Sequence, residues 1–212
     1  MEKTTTEVTI EYIKEHPDIK SCLKKGLINY SSLSRMIAKE LDIEKKTSKE
    51  AILIAARRFR EKIKKEEVYE HRIRELLSKS EIELRNKIIV FILDKDFNPD
   101  FIDGFQKKIR KESGTFFLLE GSGNYTLITQ EKYEAIIEPK LKNSIIQKTK
   151  NLALVNFKSP KEIEHIYGVV AYITSLFAEN GVNILEFLSC WTDTLFIIKA
   201  EDANKTLSFL RF

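Results

Sequence analysis

One order of elements, β-α-β-β-α, reads twice between residue 81 and the C-terminus, and no other feature restricts the fold as tightly. In the first pass Ile82 and Leu84 alternate with Glu81, Glu83 and Arg85, and Ile88 to Leu93 is continuously apolar, as in a strand buried on both faces. Asn98-Pro99 marks a turn; Phe101, Phe105 and Ile109 fall on helical spacing, and Ser113-Gly114 closes that helix. Phe116–Leu119 and Tyr125–Ile128 read as strands joined by the hairpin turn Gly121-Ser122-Gly123-Asn124. Tyr133, Ile136 and Ile137 share a face of a second helix, which Pro139 is expected to follow. The second pass opens at Ile145 and Ile146, with Leu152–Phe157 as its strongest strand. Ser159-Pro160 and His165 fall in a loop, and a helix follows from Val169 to Glu179, closed by Asn180-Gly181. Strands Val182–Cys190 and Thr194–Lys199 then flank Trp191-Thr192-Asp193, and a last helix starts at Asp202 as N-cap and runs to about Leu210.

A ferredoxin-like unit needs the order βαββαβ, and the second pass lacks its fourth strand. Two solutions stay open. Residues 82–86 supply the missing edge, so that the two units interleave, or 82–93 is one long strand and the second unit is three-stranded. The expected fold class is α+β, with units at 81–146 and 147–212.

The first 65 residues follow a different period. Val8, Ile10, Tyr12 and Ile13 form an apolar pattern that His16-Pro17 interrupts, and Ile19, Cys22 and Leu23 continue it to Gly26. Asn29-Tyr30-Ser31 reads as loop and cap, before Leu33, Ile37 and Leu41 at i, i+4, i+8. Thr47 and Glu50 have the spacing of a capping box for a helix over about Ser48–Lys65. The pair 31–41 and 48–64 predicts a helix-turn-helix-like domain over 1–65, and 66–80 reads as a connector helix. Residues 45–65 carry nine Lys/Arg against two Glu, net +7, whereas 81–212 carry 17 against 18, net −1. In a nucleic-acid reading Lys45, Lys46 and Lys49 meet the backbone, and Arg57, Arg58 and Arg60 contact phosphates or bases. The competing reading takes Ala51–Ala56, apolar nearly all round, as a packed core helix whose arginines are solvated and favoured by the helix dipole.

The stretch Gly168-Val169-Val170-Ala171-Tyr172-Ile173-Thr174-Ser175-Leu176-Phe177-Ala178-Glu179-Asn180-Gly181-Val182-Asn183-Ile184-Leu185-Glu186-Phe187 resembles the ACT domain family. These are small regulatory domains of amino-acid biosynthetic enzymes, aspartate kinases among them, and of some transcriptional regulators. The later Asp202-Ala203-Asn204-Lys205 fits too, so the resemblance covers about 151–210 well. Residues 87–141 match by element order more than by motif, with Asn98-Pro99-Asp100 where a glycine-centred loop is expected. The resemblance implies amino-acid binding between paired domains near this loop, and hence a homodimer. Gly168 and the exposed backbone N–H groups of its helix suit a carboxylate. Asn183 is placed at the polar end of a ligand, with Val169, Val170 and Ile184 as an apolar wall. The blander alternative makes Gly168 and Gly181 turn and cap residues only. The helical segment also resembles the front domains of small archaeal proteins that combine a helical unit with ACT domains.

Little else carries chemistry. Two cysteines and a polar start favour a cytoplasmic setting without a disulfide framework, and no apolar run approaches the ~18 residues needed to span a bilayer. His16, His71 and His165 are far apart and neither Cys22 nor Cys190 lies in a CxxC pair, so no metal or cofactor is expected. Gly121-Ser122-Gly123 lacks the Gly-Lys-Ser/Thr of a phosphate loop. Glu162, Glu164 and His165 suit acid–base chemistry, but a solvated loop explains them more simply; Cys190-Trp191 suits a reactive or ligand-adjacent role, but at a strand end packing is favoured. The expected function is therefore non-catalytic: a regulatory protein that senses an amino acid or similar metabolite and acts on transcription. The alternative is a protein-interaction or structural module that partners a metabolic enzyme without binding DNA.

Overall fold

A computed structural model describes residues 3–65, 69–97 and 102–212, and the chain divides after Val68 into two compact units. The expected turn at Asn98-Pro99-Asp100 lies outside the described residues.

The N-terminal unit holds four helices: α1 (Thr5–Glu15), α2 (Pro17–Lys25), α3 (Tyr30–Glu40) and α4 (Lys49–Ile63). Each start has a local chemical cause. Thr4 and Glu7 form a capping box at α1, a Thr-x-x-Glu signal that the sequence offers openly. Pro17 occupies the first position of α2, where its missing N–H costs nothing, and Gly26 ends the helix with φ 76°. The Asn29 side chain accepts the Ser32 N–H at 3.0 Å at the start of α3. Ser48, not Thr47, caps α4: its Oγ accepts the Ala51 N–H at 3.1 Å. Thr47 instead turns inward, with its hydroxyl 3.4 Å from that of Thr5.

Ile52, Ala55, Ala56, Phe59 and Ile63 form the buried stripe of α4, packed with Tyr12, Ile13, Leu23, Leu33 and Ile37. The helix is thus amphipathic rather than apolar all round, since Ile54 faces solvent. The Tyr12 hydroxyl donates to Glu40 on α3, and its ring stacks on His16 at 4.0 Å. Burial, with the hydrogen bond to Glu40 and its charge, pushes the Tyr12 phenol up to about 12.

The C-terminal unit is a mixed α+β structure on one six-stranded antiparallel sheet, order β2-β3-β1-β4-β6-β5. The strands are β1 (Glu81–Asp94), β2 (Phe116–Glu120), β3 (Asn124–Gln130), β4 (Ile145–Lys158), β5 (Glu186–Cys190) and β6 (Asp193–Lys199). The helices are α5 (Glu70–Ser78), α6 (Asp103–Lys111), α7 (Glu134–Leu141), α8 (Val169–Glu179) and α9 (Ala203–Phe209). The two 14-residue strands organise everything else. Residues 81–85 of β1 pair with 154–158 of β4, while 88–94 pair with β3 and with the first half of β4. One long strand therefore also supplies an edge partner to 154–158, combining the two alternatives left open by the sequence.

The crossing is marked by two left-handed residues, Lys87 (φ 57°) in β1 and Asn151 (φ 56°) in β4, where the register shifts. An extra residue at such a bulge restores the inward alternation on each side. Ile82 and Leu84 thus join one helix-covered core with Ala153, Val155, Phe157 and Phe196, while Ile89, Phe91 and Leu93 join another with Leu127 and Ile137. The opposite sheet face is also buried. Its layer takes Ile88, Val90 and Ile128 from one half and Leu154, Leu195 and Ile197 from the other, so the sheet curls on itself.

Several local expectations change. Helix α5, expected as a connector, contributes Ile73, Leu76 and Leu77 to the core of this unit, because those three share its apolar face. Pro139 lies inside α7, where a helix of eight residues loses only one internal N–H donor. Strand β5 starts at Glu186 rather than Val182, since 182–185 closes the α8 turn through Val182 N–H to the Phe177 carbonyl at 2.9 Å. A 3-10 turn at 200–202 precedes α9, and the Asp202 side chain makes no cap bond. Glu134 ties α7 to β4 through Lys150 at 2.6 Å and Lys148 at 2.9 Å, and both lysines hold its carboxyl below the ordinary range.

Candidate ligand site at the start of helix α8

The site begins where β4 leaves the sheet. Residues 161–165 make a 3-10 turn, and Gly168 then adopts φ 86°, a left-handed conformation that lets the chain turn into α8. Its O accepts the Tyr172 N–H at 2.8 Å, and the N–H groups of the first turn of α8 have no partners within the helix. A cavity of about 290 Å³ opens there. Gly168, Val169, Val170 and Ala171 line it from the helix, Ile163 and Glu164 from the 3-10 turn, and Ser189, Trp191 and Thr194 from the β5–β6 hairpin.

The floor of this cavity is chemically unusual. Thr194 lies on the same sheet face as Phe196 and Ile198, directly opposite Phe157 in the ladder, and is only 1% exposed. Its hydroxyl has no hydrogen-bond partner. A buried hydroxyl left unsatisfied costs about 1–3 kcal/mol, so its retention calls for a cause. At the rim Trp191 sits at φ 52°, is 59% exposed, and has the Lys161 ammonium 5.3 Å from its ring centre. The positive φ belongs to the two-residue turn Trp191-Thr192 between β5 and β6, which carries the ring to the cavity rim.

Of the residues expected at a ligand, Gly168, Val169 and Val170 meet at the cavity. Asn183 and Ile184 do not. They follow the other end of α8, about 16 Å away for eleven residues at 1.5 Å each. Asn183 is exposed there, and Ile184 packs on the helix-covered core. Ser189 and Thr194 are not expected there from the sequence, and Trp191, for which packing is favoured over a ligand-adjacent role, lines the cavity. The strand alternation Thr194, Phe196, Ile198 carries the missing signal, a polar residue on an inward apolar face. The 3-10 turn also sends Glu164 to this cavity but Glu162 and His165 to a separate 450 Å³ cleft beside α5, which disperses the three as an acid–base group. Among the described residues no cluster of His, Cys, Asp and Glu suits a metal ion.

In the N-terminal unit Lys45, Lys46, Lys49, Arg57 and Arg58 are exposed, and the Arg57 guanidinium lies 5.2 Å from the centre of the Tyr30 ring. Arg60 is different: it packs over Gly26, where a Cβ would come within 2.7 Å of its Nη2, and its Nε is buried without a partner. The outer face of α4 also carries Glu50 and Glu61. Residues 41–48 join α3 to α4, longer than the three or four residues of a helix-turn-helix turn.

Solved structures of aspartate kinases share part of this fold. The Clostridium acetobutylicum enzyme, an allosteric aspartate kinase, matches with TM-score 0.50 and 17% identity over 61% of this chain and 33% of its own. This chain therefore spans about a third of that enzyme's length. A structure of aspartokinase alpha and beta subunits matches with TM-score 0.50 and 9% identity over 64% of this chain and 95% of its own. The ligand-free regulatory subunit of aspartate kinase from Thermus thermophilus has TM-score 0.47 and 17% identity, covering 61% and 92%. At these identities the first two likenesses establish a common fold and nothing more. No family model and no curated protein sequence matches the chain. No helix among the described residues is long and apolar enough to cross a membrane.

Proposed function

We propose that this is a non-catalytic regulatory protein whose C-terminal unit senses an amino acid or a similar small carboxylate in the cavity at the start of α8. The observation that carries the reading is the unpartnered, buried Thr194 hydroxyl beneath a helix N-terminus. Free N–H groups and the helix dipole attract a carboxylate, and the Thr194 hydroxyl adds a donor from below. Glu164 supplies an acceptor for an ammonium group, while Val170 and Trp191 offer apolar surface for a side chain. A carboxylate in the cavity would accept from the α8 N–H groups and from the Thr194 hydroxyl. The test is calorimetric titration with the common L-amino acids: a saturable heat from at least one supports the reading, and no heat or stability change with any of them sinks it.

In this reading the sheet comprises two ACT-type βαββαβ halves, 81–146 and 147–212. They interleave because 81–85 acts as fourth strand of the second half. Ligands between paired domains, which the family resemblance implies, give Asn183 and Ile184 a role from a second copy, and the protein is a cytoplasmic homodimer. The exposed Lys45, Lys46, Lys49, Arg57 and Arg58 favour a nucleic-acid role for the N-terminal unit, and hence transcriptional regulation. Salt-dependent retention on DNA, lost in Arg57→Ala/Arg58→Ala, is the expected result. Co-purification with a metabolic enzyme and no DNA retention would instead mark the unit as a protein dock.

A further inference from the structure

The cavity at α8 and the cleft beside α5 share one wall. Residues 159–167 form it: Ile163 and Glu164 face the cavity, Pro160, Glu162 and His165 face the cleft, and Ile166 lines both. Within the wall the Ile163 N–H donates to the Pro160 carbonyl at 3.1 Å. The wall's centre is a single 3-10 turn, and the Ile166 N–H reaches the Ile163 carbonyl only at 3.4 Å, near the long limit of a hydrogen bond. Ile163 and Ile166 alone pack from this turn against the core, each only half-buried.

Both ends of the wall are fastened to α5 or its flanks. At one end the Ser80 hydroxyl donates to the Ser159 Oγ at 3.0 Å, just past the helix. At the other the Tyr167 ring meets Tyr69 edge-on at 5.4 Å, at the residue that starts α5. Helix α5 also touches α8 directly. Ile73 Cδ1 lies 3.7 Å from where a Cβ on Gly168 would stand, and Arg74 Nη1 donates to the Tyr172 hydroxyl at 3.2 Å. A segment with a hollow on each side, fastened to the residues flanking α5 and through the Ser159 N–H to the Thr192 carbonyl at 2.8 Å, passes a displacement on to α5 and to the β5–β6 hairpin.

We propose that residues 159–167 are a movable partition, through which a ligand in the α8 cavity displaces the 3-10 turn into the cleft and shifts α5, the first helix after the N-terminal unit in the chain. The proposal rests on the ligand-site reading above. A ligand that prefers one position of the wall shifts its population by the difference in affinity, and a change at α5 must alter ligand affinity by the same factor.

The test is hydrogen exchange on the full chain, read beside the emission of Trp191, the sole tryptophan, which lines the cavity. Any common L-amino acid that changes Trp191 emission should also change exchange of the α5 amides by about 5-fold or more, with β1–β3 amides unaffected. A Trp191 response with unchanged α5 exchange overturns the partition and leaves the ligand site standing. If no amino acid moves Trp191, the ligand reading fails, and the partition is judged on Val170→Phe, which fills the cavity from its own wall. This variant should shift α5 exchange relative to Val170→Ala; unchanged α5 exchange overturns the partition. Should Val170→Phe not fold, Ser189→Phe enters the same cavity from the edge strand and gives the same two outcomes.

Discussion

The two halves of the curled sheet hold equivalent residues at the same register and use them differently. Tyr125 on β3 stands opposite Leu93, and Thr194 on β6 stands opposite Phe157; Leu93 and Phe157 are fully buried residues on the helix-covered face. In the first half Tyr125 packs against that core, with its ring edge-on to Phe97 at 5.9 Å. In the second half the tyrosine is replaced by a threonine. Lys161, four residues past Phe157 as Phe97 is four past Leu93, lies over exposed Trp191 instead of filling the space. The cavity opens in the second half where no such aromatic pair stands. A single frame thus places a packed tyrosine in one half and an unsatisfied threonine hydroxyl in the other.

The shared strands β1 and β4 should nevertheless make the halves unfold together. Phe196→Ala removes a ring packed within 6 Å of Phe157, Phe177 and Phe187 and is expected to cost about 3–5 kcal/mol. Urea unfolding followed by hydrogen exchange of the β3 amides and by Trp191 emission should give one coincident transition for the C-terminal unit, shifted as a whole. Separate transitions would break the picture of a common frame. Next in size, Tyr125→Thr should open the first half at a cost of about 2 kcal/mol, whereas Thr194→Tyr should close the second with little loss of stability.

A smaller effect sets β5 against β2. Glu186 takes the place that Phe117 holds in the first half, and burial raises its carboxyl above the ordinary value of 4.5. Below the unfolded pKa the group is neutral in both states and carries no penalty. As pH rises through the folded pKa, the unfolded chain ionises more readily and stability falls. Glu186→Gln should therefore raise the melting temperature near neutral pH and leave it nearly unchanged near pH 4. Equal effects at both would deny the burial penalty. Smallest of all, Lys87→Gly should relieve a left-handed lysine and gain up to about 1 kcal/mol. The matching Asn151→Gly should gain less, because asparagine tolerates this conformation and its N–H already donates to Glu131 at 2.7 Å.

Much of the sheet was legible because the apolar runs 88–93, 152–157 and 194–199 report strands buried on both faces. The bulges were not: Lys87 and Asn151 read as ordinary polar residues, and only the three-dimensional ladder reveals that they reset the inward face. Helix α5 looked like a connector because Ile73, Leu76 and Leu77 are few, and nothing local says which core will take them. The helix wall of the candidate site was visible in Gly168, Val169 and Val170. The rest came from the hairpin some twenty residues later, which the fold brings back over the helix start. Asn183 and Ile184 stand close to Gly168 in the motif but not within one chain, because α8 runs its full length between them.

The most direct measurement is Thr194→Val, which keeps the shape and removes the hydroxyl. If that hydroxyl awaits a ligand, the unliganded variant should be more stable than the wild type by about 1 kcal/mol or more, since no buried polar group is left unsatisfied. Its Trp191 and calorimetric responses to the amino acid that binds the wild type should weaken about tenfold, the equivalent of one lost hydrogen bond to a charged group. A destabilised variant that binds as the wild type does would contradict the account, because the hydroxyl would then serve the fold and not the ligand.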